Sequence, residues 1–271
     1  MSPITENIVI VRGGGDIATG TIQKLYRSGF KVIVLEIEKP SAIRRAVSFC
    51  EAIYEKEITI EECTAKLCIN EEDIYKCWNE NKIPIVVDPK GENIKKFKPT
   101  VVVDGILAKK NCGTNRKMAP ITIGLGPGFT AGVDVDVVIE TMRGHNLGRL
   151  IFQGKPMENT GIPGIIGGVG KERVIYSKNS GTIKNICKIG DSVRKDQVIA
   201  KIDDCDVLAS IDGVLRGIIR DGYRVNENFK IADIDPRKEE IKNCFTISDK
   251  ARTIGGSVLE AILYLKNKRD I

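Results

Sequence analysis

The sequence predicts an α/β fold: a doubly wound, mostly parallel sheet covered by helices, then a small all-β unit and a C-terminal helix. Three observations carry this expectation. Apolar runs of strand length alternate with helical patterns from Asn7 to Phe152. A segment starting at Gly181 repeats itself 32 residues later, and the chain closes on one amphipathic pattern after Ser248. Strands apolar at nearly every position are what a sheet buried on both faces requires. With 271 residues, 42% of them hydrophobic, there is material for about two cores, and the expected division is 1–168, 169–237 and 238–271.

Asn7 to Arg12 reads as a buried strand running into Gly13-Gly14-Gly15-Asp16-Ile17-Ala18, the pattern G-x-G-x-x-A. The helix that follows places Ile17, Ala18, Ile22, Leu25 and Tyr26 on one side. Lys31 to Glu36 is a second strand, ending in an acid 21 positions after Gly15. Strand, glycines, helix, strand and terminal acid make a Rossmann-like unit, in which a phosphate sits at the helix N-terminus and the carboxylate meets a ribose hydroxyl. Gly13, Gly14, Gly15, Asp16 and Glu36 are therefore candidate cofactor-binding residues, against the alternative of a doubly wound unit with an empty crevice. Pro40 to Phe49 is expected as a short helix carrying Arg44 and Arg45 toward a phosphate or toward water. Residues 57–69 are ambiguous. Glu71 to Asn81 is a helix, and Ile83 to Asp88, Thr100 to Ala108 and Ile121 to Leu125 are strands. Asp88 and Asp104 fall at the carboxyl ends of strands, the edge where ligands of parallel sheets collect.

Ile121 to Gly148 holds most of the remaining chemistry. Gly124, Gly126 and Gly128, with Thr130, offer a second loop whose backbone N–H groups and hydroxyl suit an anion; a tight turn between buried strands is the alternative. The sole histidine, His145, follows with Glu140 and Arg143 nearby. These three are the candidate catalytic residues, with a neutral imidazole to pass a proton, and a hydrogen-bonded turn histidine is the alternative. Val135 to Thr141 and Leu147 to Phe152 are expected as an added strand pair, and 160–168 as loop.

Residues 181–203 lie over 213–235 with eight identities in 23 positions, among them Gly190/Gly222, Val193/Val225 and Asp203/Asp235. Each half has β-type alternation and neither can bury its apolar face alone, so two interlocked halves are expected. Gly190-Asp191-x-Val193, Gln197 to Ala200 and Ala209 to Gly213 resemble the biotinyl and lipoyl carrier domains, which implies a barrel-sandwich hybrid. The joining turn Asp203-Asp204-Cys205-Asp206 carries no lysine, so the resemblance implies the fold without the swinging arm. In the terminal helix, Ser248 or Asp249 is the N-cap, and Ile254, Val258, Leu259, Ile262, Leu263 and Leu265 form a stripe expected to return to the first domain.

The net charge of +6 comes from interleaved acids and bases, and aromatics at 5% give little to stack bases on, so no nucleic-acid partner is expected. No apolar run reaches membrane-spanning length and the start lacks a leader pattern, so no membrane is expected and the location is read as cytoplasmic. Eight cysteines without a CxxC pair, beside one histidine, argue against a zinc site and for reduced thiols; Cys112, in a basic loop, is the one whose surroundings suit a reactive thiol.

Arg12 to Gly20, Ala108-Lys-Lys-Asn111, Gly124 to Gly132, Ile139 to His145, Thr160 to Gly164, Asp233 to Arg237 and Ser248-Asp-Lys250 together resemble the YqeB family across nearly the whole chain. The resemblance implies an accessory protein of selenium-dependent molybdenum hydroxylase systems, similar in its nucleotide-binding half to the accessory proteins of xanthine dehydrogenase. It implies molybdopterin or molybdopterin dinucleotide as the ligand, and a molybdenum hydroxylase and cofactor-biosynthesis enzymes as partners. Assembly into a homo-oligomer stays open, as does whether the chain catalyses a reaction. On this reading Gly13 to Asp16 take one phosphate, Glu36 a ribose, Gly124 to Thr130 another phosphate or the pterin, and Arg143 and His145 the metal end. An NAD-dependent oxidoreductase is the rival reading, and a non-catalytic scaffold docking on the hydroxylase a third.

Overall fold

Runs of β-branched and aliphatic residues give the computed structural model its strands. It describes residues 7–161 and 164–269; Met1 to Glu6, which carry the leader reading, and Ile162 and Pro163 of the Thr160–Gly164 motif lie outside them. The chain forms two compact units: one of 1–40, 48–159 and 247–271, the other of 41–47 and 160–246.

In the first unit the strands are β1 (Ile8–Arg12), β2 (Lys31–Glu36), β3 (Glu57–Ile60), β4 (Cys63–Leu67), β5 (Ile83–Val87), β6 (Val101–Asp104), β7 (Ile121–Leu125), β8 (Val137–Ile139) and β9 (Leu150–Ile151). They make one sheet in the order β3-β4-β5-β2-β1-β6-β7-β8-β9. All neighbours from β4 to β8 are parallel, and only the outer pairs β3/β4 and β8/β9 are antiparallel. The order β5-β2-β1-β6-β7-β8 is that of a Rossmann-like sheet, and the winding reverses between β1 and β6. Helices α1 (Asp16–Arg27), α2 (Ala52–Glu55), α3 (Glu71–Asn79), α4 (Glu92–Phe97) and α5 (Asp249–Arg269) accompany it. The ambiguous stretch 57–69 is thus a hairpin whose second strand extends the parallel sheet.

The α5 helix packs on α1 by bare backbone. A Cβ on Gly20 would stand 2.3 Å from the Ala251 carbonyl oxygen, and one on Gly255 2.5 Å from the Gly20 carbonyl oxygen. Ile254, Val258, Ala261, Ile262 and Leu265 of α5 are buried, whereas Leu263 is 42% exposed and lies off the expected stripe. Ser248 is the cap: its hydroxyl accepts from the Ala251 N–H at 3.2 Å.

The second unit corrects three expectations. Pro40 to Phe49 is not an α-helix; it holds two 3-10 turns, Arg45–Val47 and Phe49–Glu51. Its arginines face neither phosphate nor water alone, because Arg44 donates to the carbonyls of Asn243 and Thr246, and Arg45 to that of Ile218. Residues 41–47 therefore belong with the β-rich unit, as do 160–168 and 238–246, so its bounds are wider than the expected 169–237. The backbone of Ile43 lies 2.8 Å from where a Cβ on Gly217 would be, and Phe245 comes within 3.0 Å of one on Gly190, which is what ties those flanks in.

Two four-stranded antiparallel sheets make up this unit. One has the order β10 (Val174–Tyr176), β17 (Lys230–Asp235), β15 (Gly213–Ile218), β12 (Ser192–Val193); the other β14 (Cys205–Leu208), β13 (Val198–Ile202), β11 (Gly181–Asn185), β16 (Arg224–Val225). The repeat maps β11 on β15, β12 on β16 and β13 on β17, and each sheet takes its short β12 or β16 strand from the other half. The same offset sets β10 against β14, with Ile175 and Val207 equivalent and each 8% exposed, so the symmetry reaches one strand further than the matched residues. Ile183, Ile199, Ile202, Leu215, Ile231 and Ile234 fill the shared core.

Candidate functional site

At the carboxyl edge of the large sheet, where β1 and β6 diverge, the chain turns at Gly13. Its φ of 89° is costly for other residues. The Gly13 N–H closes onto the Leu35 carbonyl at 2.8 Å, and the Gly14 carbonyl accepts from the Cys50 N–H at 2.9 Å. Thr19 braces the turn from below, its hydroxyl donating to Gly15 and accepting from the Phe49 N–H. Gly15, the N-cap of α1, is different from its neighbours: among the described residues a Cβ there would meet nothing within 4 Å, and no side chain caps the helix. The positive end of α1 therefore opens on free space, the arrangement that accepts a phosphate.

Glu36 reaches this loop from β2. One carboxylate oxygen accepts the Gly14 N–H at 2.8 Å and the other the Ile37 N–H at 2.7 Å. Burial lifts its pKa above the ordinary value, against the pull of those two donors. Each oxygen retains a lone pair, so the acid is held in place without being saturated.

The strand-end acids are tied down more fully. Arg12 and Asp104 are register partners on β1 and β6, are 4% and 1% exposed, and stand 3.6 Å apart. Thr114 bridges them, accepting from Arg12 and donating to Asp104 at 2.5 Å. Asn111 fixes the Thr114 turn by accepting the N–H groups of Gly113 and Thr114. Asp88 accepts the N–H groups of Glu92 and Asn93 and so holds the start of α4. Cys112 is exposed, as is Cys205; the other six cysteines are buried, and all eight are free thiols.

In the second glycine loop two of the N–H groups expected to converge on a ligand, those of Gly126 and Thr130, already have partners. A Cβ at Gly124 would overlap the Phe129 ring at 2.6 Å, at Gly126 the Thr141 hydroxyl at 2.4 Å, and at Gly128 the Lys110 backbone at 2.8 Å. The N–H of Gly126 is held by the Ile139 carbonyl and that of Thr130 by Asp134. Close packing accounts for Gly124, Gly126 and Gly128, and Thr130 sits in a turn closed by its own neighbours. Glu140 is likewise structural in its contacts: it is 2% exposed and accepts the N–H groups of Met142 and Met157. His145 is exposed, and Arg143 forms a two-pronged pair with Asp249 at 2.7 Å on both arms.

That pair leads to a residue to which no role was assigned at the outset, Lys250, in the first turn of α5. Burial and the neighbouring Arg143 guanidinium lower its pKa, while Asp16, Glu140 and Asp249 act in the opposite sense. Among the described residues its ammonium makes neither an ion pair nor a hydrogen bond. Asp16 of the glycine loop, Glu140 and Arg143 of the second region and Asp249 of α5 thus all act electrostatically on one half-buried cation. The only sequence signal for Lys250 was its place in the Ser248-Asp-Lys250 run; that α5 folds back beside α1 is a tertiary fact.

No protein-family model matches the sequence. Among solved structures, the tRNA N6-threonylcarbamoyladenosine dehydratase TcdA of E. coli aligns over 98% of this chain and 89% of its own at 11% identity and TM-score 0.36. The ectoine utilization protein EutE (DoeB) from Ruegeria pomeroyi aligns over 84% and 85% at 9% identity and TM-score 0.27. At these scores the fold rests on the strand order above. A curated relative from Escherichia coli (strain K12), the uncharacterized protein YqeB, is 47% identical over 266 residues, 98% of this chain; the chain spans about half of that relative's length, 49%. Identity at that level over nearly every residue places the chain in the YqeB family.

Proposed function

We propose that the chain binds a phosphate-bearing nucleotide or pterin nucleotide at the N-terminus of α1, and that it serves as an accessory protein in maturing a selenium-dependent molybdenum hydroxylase. The open face of Gly15 carries the binding half of this reading. A helix end without a capping side chain, in a sheet wound as this one is, has orphan N–H groups that an anion satisfies. Lys250 supports it with a positive charge that makes no ion pair among the described residues, and Glu36 with lone pairs beside the loop. Molybdopterin or molybdopterin dinucleotide is the ligand implied by family resemblance, and its phosphate or phosphates match the charge of the site. His145 and Arg143, with Glu140 behind them, then flank the far end of the ligand. We read the smaller unit as a barrel-sandwich hybrid, on the exchange of β12 and β16 between its halves, and as the surface that meets the hydroxylase.

Isothermal titration of the full chain with molybdopterin nucleotides tests this directly. Saturable heat in the micromolar range is expected. Absence of heat with these ligands, together with tight binding of NAD, would replace the reading with that of a nicotinamide enzyme.

A further inference from the structure

We propose that the first unit carries a second ligand site, a groove beside α4 that takes an organic polyanion of nucleoside diphosphate size. The groove, ≈ 560 Å³, lies between α4 and the segment 115–120 and shares no lining residue with the glycine loop or with Lys250. Its volume falls within the range of small-molecule sites. Four lysines line it, Lys90, Lys95, Lys98 and Lys117, and among the described residues no carboxylate does. Among the described residues none of the four makes an ion pair or a side-chain hydrogen bond, whereas Lys96, on the same helix, is paired with Glu71.

Four unneutralised ammonium groups around one concavity repel one another, and an occupant of opposite charge removes that repulsion. Lys90 precedes α4 and Lys98 follows it; a six-residue helix is ~9 Å long, so positive charge stands at both ends of α4, along one wall of the groove. A small inorganic anion neutralises one end only. The floor is apolar: Ile94 is 4% exposed, and Pro99, Met118 and Pro120 continue it. The occupant therefore has an apolar body and two or more negative charges. Among the described residues no aromatic side chain lines the groove, so they offer no stacking platform of the kind a single-stranded nucleic acid site uses.

The test is methyl NMR of the full chain with labels on Ile94 and Met118, using ADP as the probe and adenosine and pyrophosphate as its halves. ADP is expected to shift both methyls saturably, with each half at least tenfold weaker. The double variant Lys95→Glu/Lys98→Glu is expected to weaken ADP at least tenfold, and Lys117→Glu, on the facing segment, to weaken it independently. Gly15→Val, which addresses the α1 end, is expected to leave the Ile94 and Met118 shifts unchanged, so the two sites fail separately. No shift at these methyls in millimolar ADP would overturn the proposal. So would shifts that survive both charge reversals, or a single-stranded oligonucleotide that binds tighter than ADP in proportion to its length.

Discussion

Gly255 and Gly256 are adjacent in α5, and the fold assigns them opposite responses to the same change. Replacing a glycine inside a helix by alanine gains roughly 0.8–1 kcal/mol of helix propensity. At Gly256 nothing lies within 4 Å of the new Cβ, so that gain stands alone. At Gly255 the Cβ meets the Gly20 carbonyl oxygen at 2.5 Å and its carbon at 2.8 Å. The obstacle is backbone of α1, which yields only if one helix moves, and such overpacking costs about 1–3 kcal/mol. Because the obstacle is main chain we take the upper part of that range, which leaves Gly255→Ala about 1–2 kcal/mol less stable than the parent. Gly256→Ala is expected to be about 1 kcal/mol more stable. For a unit of this size 1 kcal/mol moves Tm by about 2–4 °C, so thermal unfolding followed by circular dichroism separates the two variants easily. If Gly255→Ala raises Tm as Gly256→Ala does, the close approach of α1 and α5 is wrong, and with it the placement of Lys250 beside Asp16.

Other expectations follow from the buried charges. Arg12→Met strands Asp104 with only the Thr114 hydroxyl and the Ile106 N–H, and should cost about 3–5 kcal/mol in denaturant unfolding. Glu140→Gln puts an amide donor against the Met142 or Met157 N–H and should cost about 1–3 kcal/mol by the same assay. Asp136 is buried, which opposes ionisation, but its bonds from Arg269 and Thr122 outweigh this and hold its pKa below the ordinary carboxylate value. A depressed folded pKa means stability that is present above the unfolded pKa, about 3.9, and is lost as pH falls through the folded one. Asp136→Asn should therefore destabilise at pH 7 and approach the parent in acid. Lys250 titrates below its ordinary value, so affinity for an anion should fall as pH rises through that lowered pKa, and Lys250→Met should flatten the profile in a pH series of titrations.

How much of this was legible in the residues differs from element to element. The strand, glycine, helix, strand and acid of the first unit could be read because each signal is local: a φ that glycine tolerates, a helical stripe, an alternation that stops. The repeat gave the swapped strands for the same reason. The second glycine loop left two readings open, because a glycine needed for ligand approach and one needed beneath a phenylalanine ring look alike until Phe129 is seen over Gly124. Arg44 and Arg45 misled because carbonyls from residues near 218 and 243–246, far along the chain, receive them. Lys250 was invisible as a site residue, since it joins the glycine loop only through the packing of the last helix on the first.

The central claim is that an anion sits against the bare backbone of Gly15. Titration of wild type and Gly15→Val with a molybdopterin nucleotide, read by 31P NMR, measures it most directly. Among the described residues nothing lies within 4 Å of a Cβ at this position, and the valine methyls beyond it would stand where the phosphate is proposed to bind. A bound 31P signal is expected in wild type and is expected to be lost in Gly15→Val while the Tm values agree. Equal binding by the two proteins would contradict it.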